Sequence, residues 1–77
     1  MKLTIVSPER VLYRGEAQSV TVPGARGQFV VLDNHAPIIS TLQAGTLSYK
    51  AETTEVIEIQ GGFIDVANNE VSVCVEV

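Results

Sequence analysis

The sequence predicts an all-β fold, two packed sheets or a flattened barrel of eight to ten short strands, on three observations. Val, Ile and Thr, whose branched side chains stiffen χ1 and suit a pleated surface, supply 24 of the 77 residues. No window repeats apolar residues at helical spacing over the ten or more positions that a helix needs. Turn-forming residues recur every 8 to 12 residues or so, the spacing of a small sandwich or barrel.

Each strand candidate follows from its own pattern. Leu3 and Ile5 share one phase of an opening strand that Ser7-Pro8-Glu9 ends, and Gly15 breaks the next segment. Gln18, Val20 and Val22 share a face ahead of the Pro23-Gly24 turn signal. Phe29-Val30-Val31-Leu32 is a continuous apolar run, the pattern of a strand covered on both sides, and Asp33-Asn34 stops it. Beyond Ala44-Gly45 and Glu52-Thr53-Thr54, Ile57 and Ile59 point inward with Glu58 outward. The last strand is the clearest: Val71, Val73, Val75 and Val77 alternate with Ser72, Cys74 and Glu76. Asn68-Asn69 is the strongest hairpin signal, because Asn tolerates the positive φ of a two-residue primed turn. Gly24-Ala25-Arg26-Gly27 and Gly61-Gly62 read as tight turns or close backbone approaches.

A chain of 77 residues makes one domain, 1–77, and its 45% apolar content places it outside the disordered class. Its core is thin for the conformational entropy it must offset. Cys74 is the single cysteine, so no bridge can close within the chain, and one His with one Cys makes a poor zinc site. A partner is the remaining source of stability, and a lone thiol fits a reducing compartment. The net charge is −4, with Lys2, Arg10, Arg14 and Arg26 against two acids in residues 1–26 and Lys50 against seven acids thereafter. That balance argues against nucleic-acid binding, which rests on cations neutralising phosphates. Met1 to Pro8 has the features of neither a signal peptide nor a membrane span, so a protein on the cytosolic side is expected.

Residue chemistry points away from catalysis. The only His, His35, sits in Asp33-Asn34-His35-Ala36-Pro37, residue types that cap backbone groups and form loops. Cys74 lies on the polar phase of its strand with no basic neighbour to activate it. Glu55 and Glu58 fall on opposite strand phases, where they cannot share a pocket. Neither glycine pair is followed by the helix N-terminus that a phosphate loop requires.

The stretch from Gly24 to Gly45, GARGQFVVLDNHAPIISTLQAG, resembles the G-x-x-G-x-[FL]-G-[IV]-L-x-x-H-A-P-[LI]-[LIV]-[ST]-x-L-x-x-G segment of the epsilon subunits of proton-translocating ATP synthases. Gly61-Gly62-Phe63-Ile64-Asp65-Val66 is similar to that family's G-G-F-x-[DE]-V, Asn69-Glu70-Val71-Ser72-Val73 to its N-x-V-[ST]-V, and Leu3 to Glu9 agrees with its opening. The resemblance spans essentially the whole chain. It implies a flattened ten-stranded β-sandwich and a non-catalytic rotor subunit that links gamma to the membrane ring of c subunits, coupling proton flow to ATP synthesis. Its further implications are no cofactor and no metal, membrane association only through the complex at the cytoplasmic face of the bacterial inner membrane, and a monomer when isolated. Gln28, Asp33, Asn34 and His35 match the ring-facing loop, and Ile38 and Ser40 match positions toward gamma.

Two departures bear on this expectation. Val30 stands where the family has Gly and is expected to add buried volume, and Gln28 replaces a ring-facing acid, whose charge Asp33 is expected to supply. Most relatives continue into a regulatory C-terminal pair of helices, whereas this sequence stops at Val77, which reads as a naturally short form rather than a trimmed one. Two other classes compete with this expectation. A biotinyl or lipoyl carrier needs a hairpin-tip Lys, and Lys50 follows Tyr49 instead of the usual Met or Asp. An oligonucleotide-binding barrel wants basic grooves and exposed aromatics, against four aromatics and a −4 charge here.

Overall fold

Nine strands and no helix make up residues 1–77 in the computed structural model. They are β1 (Lys2–Val6), β2 (Val11–Glu16), β3 (Ser19–Gly24), β4 (Gly27–Leu32), β5 (Ile38–Leu42), β6 (Gly45–Lys50), β7 (Thr54–Ile59), β8 (Gly61–Ala67) and β9 (Glu70–Glu76). The count is nine where the resemblance implied ten. The longest connection, Asp33–Pro37, yields no further strand: Asn34 takes φ 61° and Pro37 has no N–H to give a ladder.

The pairings form two lobes. One runs β2-β1-β9-β8-β5 and the other β4-β3-β6-β7, joined where Gly24 of β3 pairs Leu42 of β5. All ladders are antiparallel except β1 with β9, which sets the first and last strands side by side with Leu3 opposite Val71 and Ile5 opposite Val73. Alternation then does what pleat geometry demands: Leu3, Ile5, Val20, Val22, Ile64, Val66, Val71, Val73 and Val75 are buried together with Leu47 and Ile59. A register shift at Ile5/Val6 leaves Leu12 as an extra residue on β2, so consecutive Leu12 and Tyr13 both pack on the core.

Several expectations are corrected. β4 is an edge strand paired only with β3, so Phe29–Leu32 is not covered on both sides. Val31 is fully buried and Phe29 packs on the core, while Val30 and Leu32 face out at 46% and 58% exposure. Every strand of a two-layer fold has only one inner face, so alternate residues of the run meet solvent, and an apolar run cannot announce how its faces are covered. Val30 accordingly adds surface rather than buried volume. Gln18 and Val77 lie outside β3 and β9 and are exposed, so neither joins the face of its valines.

Asn68 and Asn69 form the β8–β9 turn with φ 53° and 59°, as the sequence predicts. Asn68→Val is expected to lower stability by about 1–2 kcal/mol, since a branched residue resists positive φ. Asn68→Gly should leave it nearly unchanged. Urea unfolding midpoints of the two variants provide the check.

Candidate functional site

The predicted contact residues divide between two places. Gln28, His35, Ile38 and Ser40 line one groove of about 420 Å³ with Arg26 and Phe29, beside the β3–β4 hairpin. The groove exists because β4 and β5 flank the Asp33–Pro37 connection, bringing residues ten apart in sequence to one wall. His35 Nδ1 donates to the Ala36 carbonyl at 2.7 Å, which fixes the ring against its own loop. Ile38 is half-buried and packs on the core, and Ser40 shares its phase on β5. The outward phase of that strand carries Ile39, 77% exposed.

Asp33 and Asn34 lie elsewhere. The Asp33 carboxylate accepts from the Met1 ammonium at 2.5 Å, and the same ammonium donates to the Ala17 carbonyl at 3.0 Å with Glu16 3.8 Å away. The Asn34 amide donates to the Asn69 side chain at 2.8 Å. Charge at Asp33 is therefore partly neutralised within the chain. The carboxylate lines a second, larger groove with Glu16, Glu52, Glu55, Tyr13 and Tyr49.

Two features escaped the sequence. The first is an apolar row across the outside of the β2-β1-β9-β8-β5 lobe. Phe63 pairs Cys74, Cys74 pairs Val6 and Val6 pairs Val11, with Ile39 diagonal to Phe63. Phe63 and Val11 are about half exposed, and Cys74 and Val6 are half-buried. Adjacent Ile38-Ile39 was the one local sign, because neighbouring apolar residues in a strand put one on each face. The second is the larger groove itself, whose lining from Met1 to Glu55 has no signature in sequence spacing. Lys50 closes β6 opposite Ser19 and Thr54, within the ladders rather than at a hairpin tip, so it does not meet the carrier requirement.

Burial pushes the Tyr49 hydroxyl above its ordinary value of 10.0, with Glu55 and then Tyr13 adding to the effect. Folding favours the neutral phenol, so this contribution is complete below about pH 10 and is lost as pH climbs through the raised value. The urea midpoint should fall more steeply between about pH 9 and 11 in the wild-type chain than in Tyr49→Phe.

Comparison with known proteins agrees with this architecture. Residues 1–77 match the family described as ATP synthase, Delta/Epsilon chain, beta-sandwich domain. The ATP synthase epsilon chain of Leptospira interrogans serovar copenhageni is 42% identical over 74 residues, and that of Caulobacter vibrioides 44% identical over 77. The chain covers 58% of the Leptospira protein's length and 90% of the Caulobacter protein's. Among solved structures, a chain of the Tetrahymena thermophila mitochondrial ATP synthase central stalk/c-ring superposes at TM-score 0.88 and 15% identity, over all of this chain and 63% of its own. A chain of the Euglena gracilis mitochondrial ATP synthase does so at 0.88 and 22%, over 95% of this chain and 48% of its own. The nine strands, the matched profile along their whole length and the identities above 40% place this chain in the β-sandwich domain family of ATP synthase delta/epsilon chains.

Proposed function

We propose that this domain is a non-catalytic rotor element in the central stalk of a membrane-associated ATP synthase, joining the gamma subunit to the ring of c subunits and helping to couple proton flow to ATP synthesis. The observation that carries the reading is the row Ile39, Phe63, Cys74, Val6 and Val11, which crosses all five strands of one lobe and leaves three large apolar side chains, Ile39, Phe63 and Val11, about half exposed or more. Apolar surface of this kind is a liability in a free monomer and an anchor in an assembly. Membership of the epsilon family supports the choice of assembly.

In this reading, Gln28, Asp33, Asn34 and His35 face the c ring, Ile38 and Ser40 contact gamma, and Ile39, on the opposite face of β5, offers the outer apolar row as a second contact surface. Because the Met1 ammonium already pairs with Asp33, hydrogen bonding from Gln28 and His35 carries more of the ring contact than charge does. The complex places the domain at the cytoplasmic face of a bacterial inner membrane, with no cofactor of its own. Tagged chain purified from detergent-solubilised membranes should bring gamma and c subunits with it. Recovery without either subunit under conditions that retain the rest of the synthase would overturn the reading.

A further inference from the structure

The larger groove, about 730 Å³ and within the usual size of ligand sites, opens where the N-terminus meets the ends of β2, β4 and β6. Its charged side chains are all acids: Glu16, Asp33, Glu52 and Glu55. One end already holds a cation, the Met1 ammonium, between Asp33 and Glu16. The other end holds none. Glu52 forms no ion pair, and Glu55 accepts only from the Thr53 hydroxyl at 2.8 Å.

Tyr49 supplies an independent observation. The residue is only 7% exposed because its ring is packed in the core, while its hydroxyl reaches the solvent of this groove with no partner in the chain; Tyr13 next to it donates to the Glu16 carbonyl at 2.7 Å. The two rings lie 4.5 Å apart, tilted by 38°, and present an aromatic wall beside the free carboxylates. Glu55 reaches this wall because it pairs with Tyr49 across β6 and β7 and so shares its inward phase. No three of the acids are placed to hold a metal ion, so the geometry suits a polyatomic cation with several separated N–H donors. Guanidinium meets that description better than ammonium: it is planar, stacks on aromatic faces and donates in a fork to carboxylates.

We propose that this groove receives an arginine side chain from a basic segment of a partner polypeptide, its guanidinium set against Tyr13 and Tyr49 and bonded to Glu52, Glu55 and the Tyr49 hydroxyl. The inference does not rest on the stalk reading, with which it shares only Asp33.

The test is a titration of the 15N-labelled full chain with the peptides Ac-Gly-Arg-Gly-NH2, Ac-Gly-Lys-Gly-NH2 and the uncharged norleucine analogue, followed by amide chemical shifts. The arginine peptide should produce saturable shifts concentrated at Ala17, Gln18, Ala51 and Thr53. It should bind about threefold or more tighter than the lysine peptide, and the norleucine peptide should leave these amides unmoved. Glu55→Gln and Glu52→Gln should each weaken arginine binding about threefold, and Tyr49→Phe, which keeps the ring, about twofold, with the amide spectrum otherwise retained. Diffuse or non-saturating shifts, or equal response to norleucine, would overturn the proposal. So would unchanged arginine affinity in Glu55→Gln accompanied by self-association, which would make Glu55 a guard on an edge strand rather than part of a site.

Discussion

Gly62→Ala is expected to lower the melting temperature by roughly 15 °C or more, the largest effect of any single methyl group added to this chain. Gly62 has φ 149° and pairs with Val75 across the β8–β9 ladder. A Cβ there would lie 2.1 Å from the Cys74 carbonyl oxygen and 3.0 Å from the Val75 Cα. Both obstacles are backbone of β9, which is held by β1 on its other side, so they cannot turn aside as a flexible side chain would. A strained φ and overpacking contribute about 1–3 kcal/mol each, against a total stability of about 4–12 kcal/mol for a chain this long. Gly61→Ala is the matched control, because its nearest contacts would be an ordinary 3.7 and 3.9 Å. Its midpoint should stay within a few degrees of wild type. Thermal unfolding of both variants by circular dichroism decides the matter, and equal midpoints would refute the close-approach account.

Ile64→Ala should destabilise by about 2–5 kcal/mol, whereas Ile39→Ser should change stability by no more than about 0.5 kcal/mol. The two isoleucines stand on neighbouring strands one register apart: Ile64 pairs Ser40 and Ile39 pairs Asp65. Ile64 is fully buried among Val66, Val71 and Val73, so its truncation leaves a cavity that a small core fills poorly. Ile39, on the opposite phase, is mostly in solvent. If Ile39 belongs to the gamma contact, its serine variant should reduce gamma recovery from solubilised membranes while the urea midpoint holds. Equal stability losses in the two variants would mean that the inner and outer faces have been assigned wrongly.

These contrasts show where sequence reasoning held and where it stopped. Val71, Val73 and Val75 were readable because a pleated strand sends alternate side chains to opposite faces whatever surrounds it. Asn68-Asn69 was readable because the demand for positive φ is local to the turn. The expected contact residues were legible only as a loop. Their division into a groove with Gln28, His35, Ile38 and Ser40 and a separate cluster at Asp33 and Asn34 depends on the N-terminus and the β8–β9 turn arriving beside the end of β4. The continuous apolar run of β4 misled, because two exposed apolar residues on an edge strand look the same in sequence as two covered ones.

What the sequence by itself determined about this protein is its all-β class, the inward phase of most strands and the absence of local catalytic signatures. Each of these follows from side-chain branching, alternation or turn chemistry within a few residues. Only the tertiary structure decided that β4 is an edge, that Ile39, Phe63, Val6 and Val11 form one continuous outer surface, and that Tyr13, Tyr49 and Glu55 share a groove. The physical reason is that which strands lie side by side, and in what register, is settled by hydrogen bonds and packing between segments far apart in the chain.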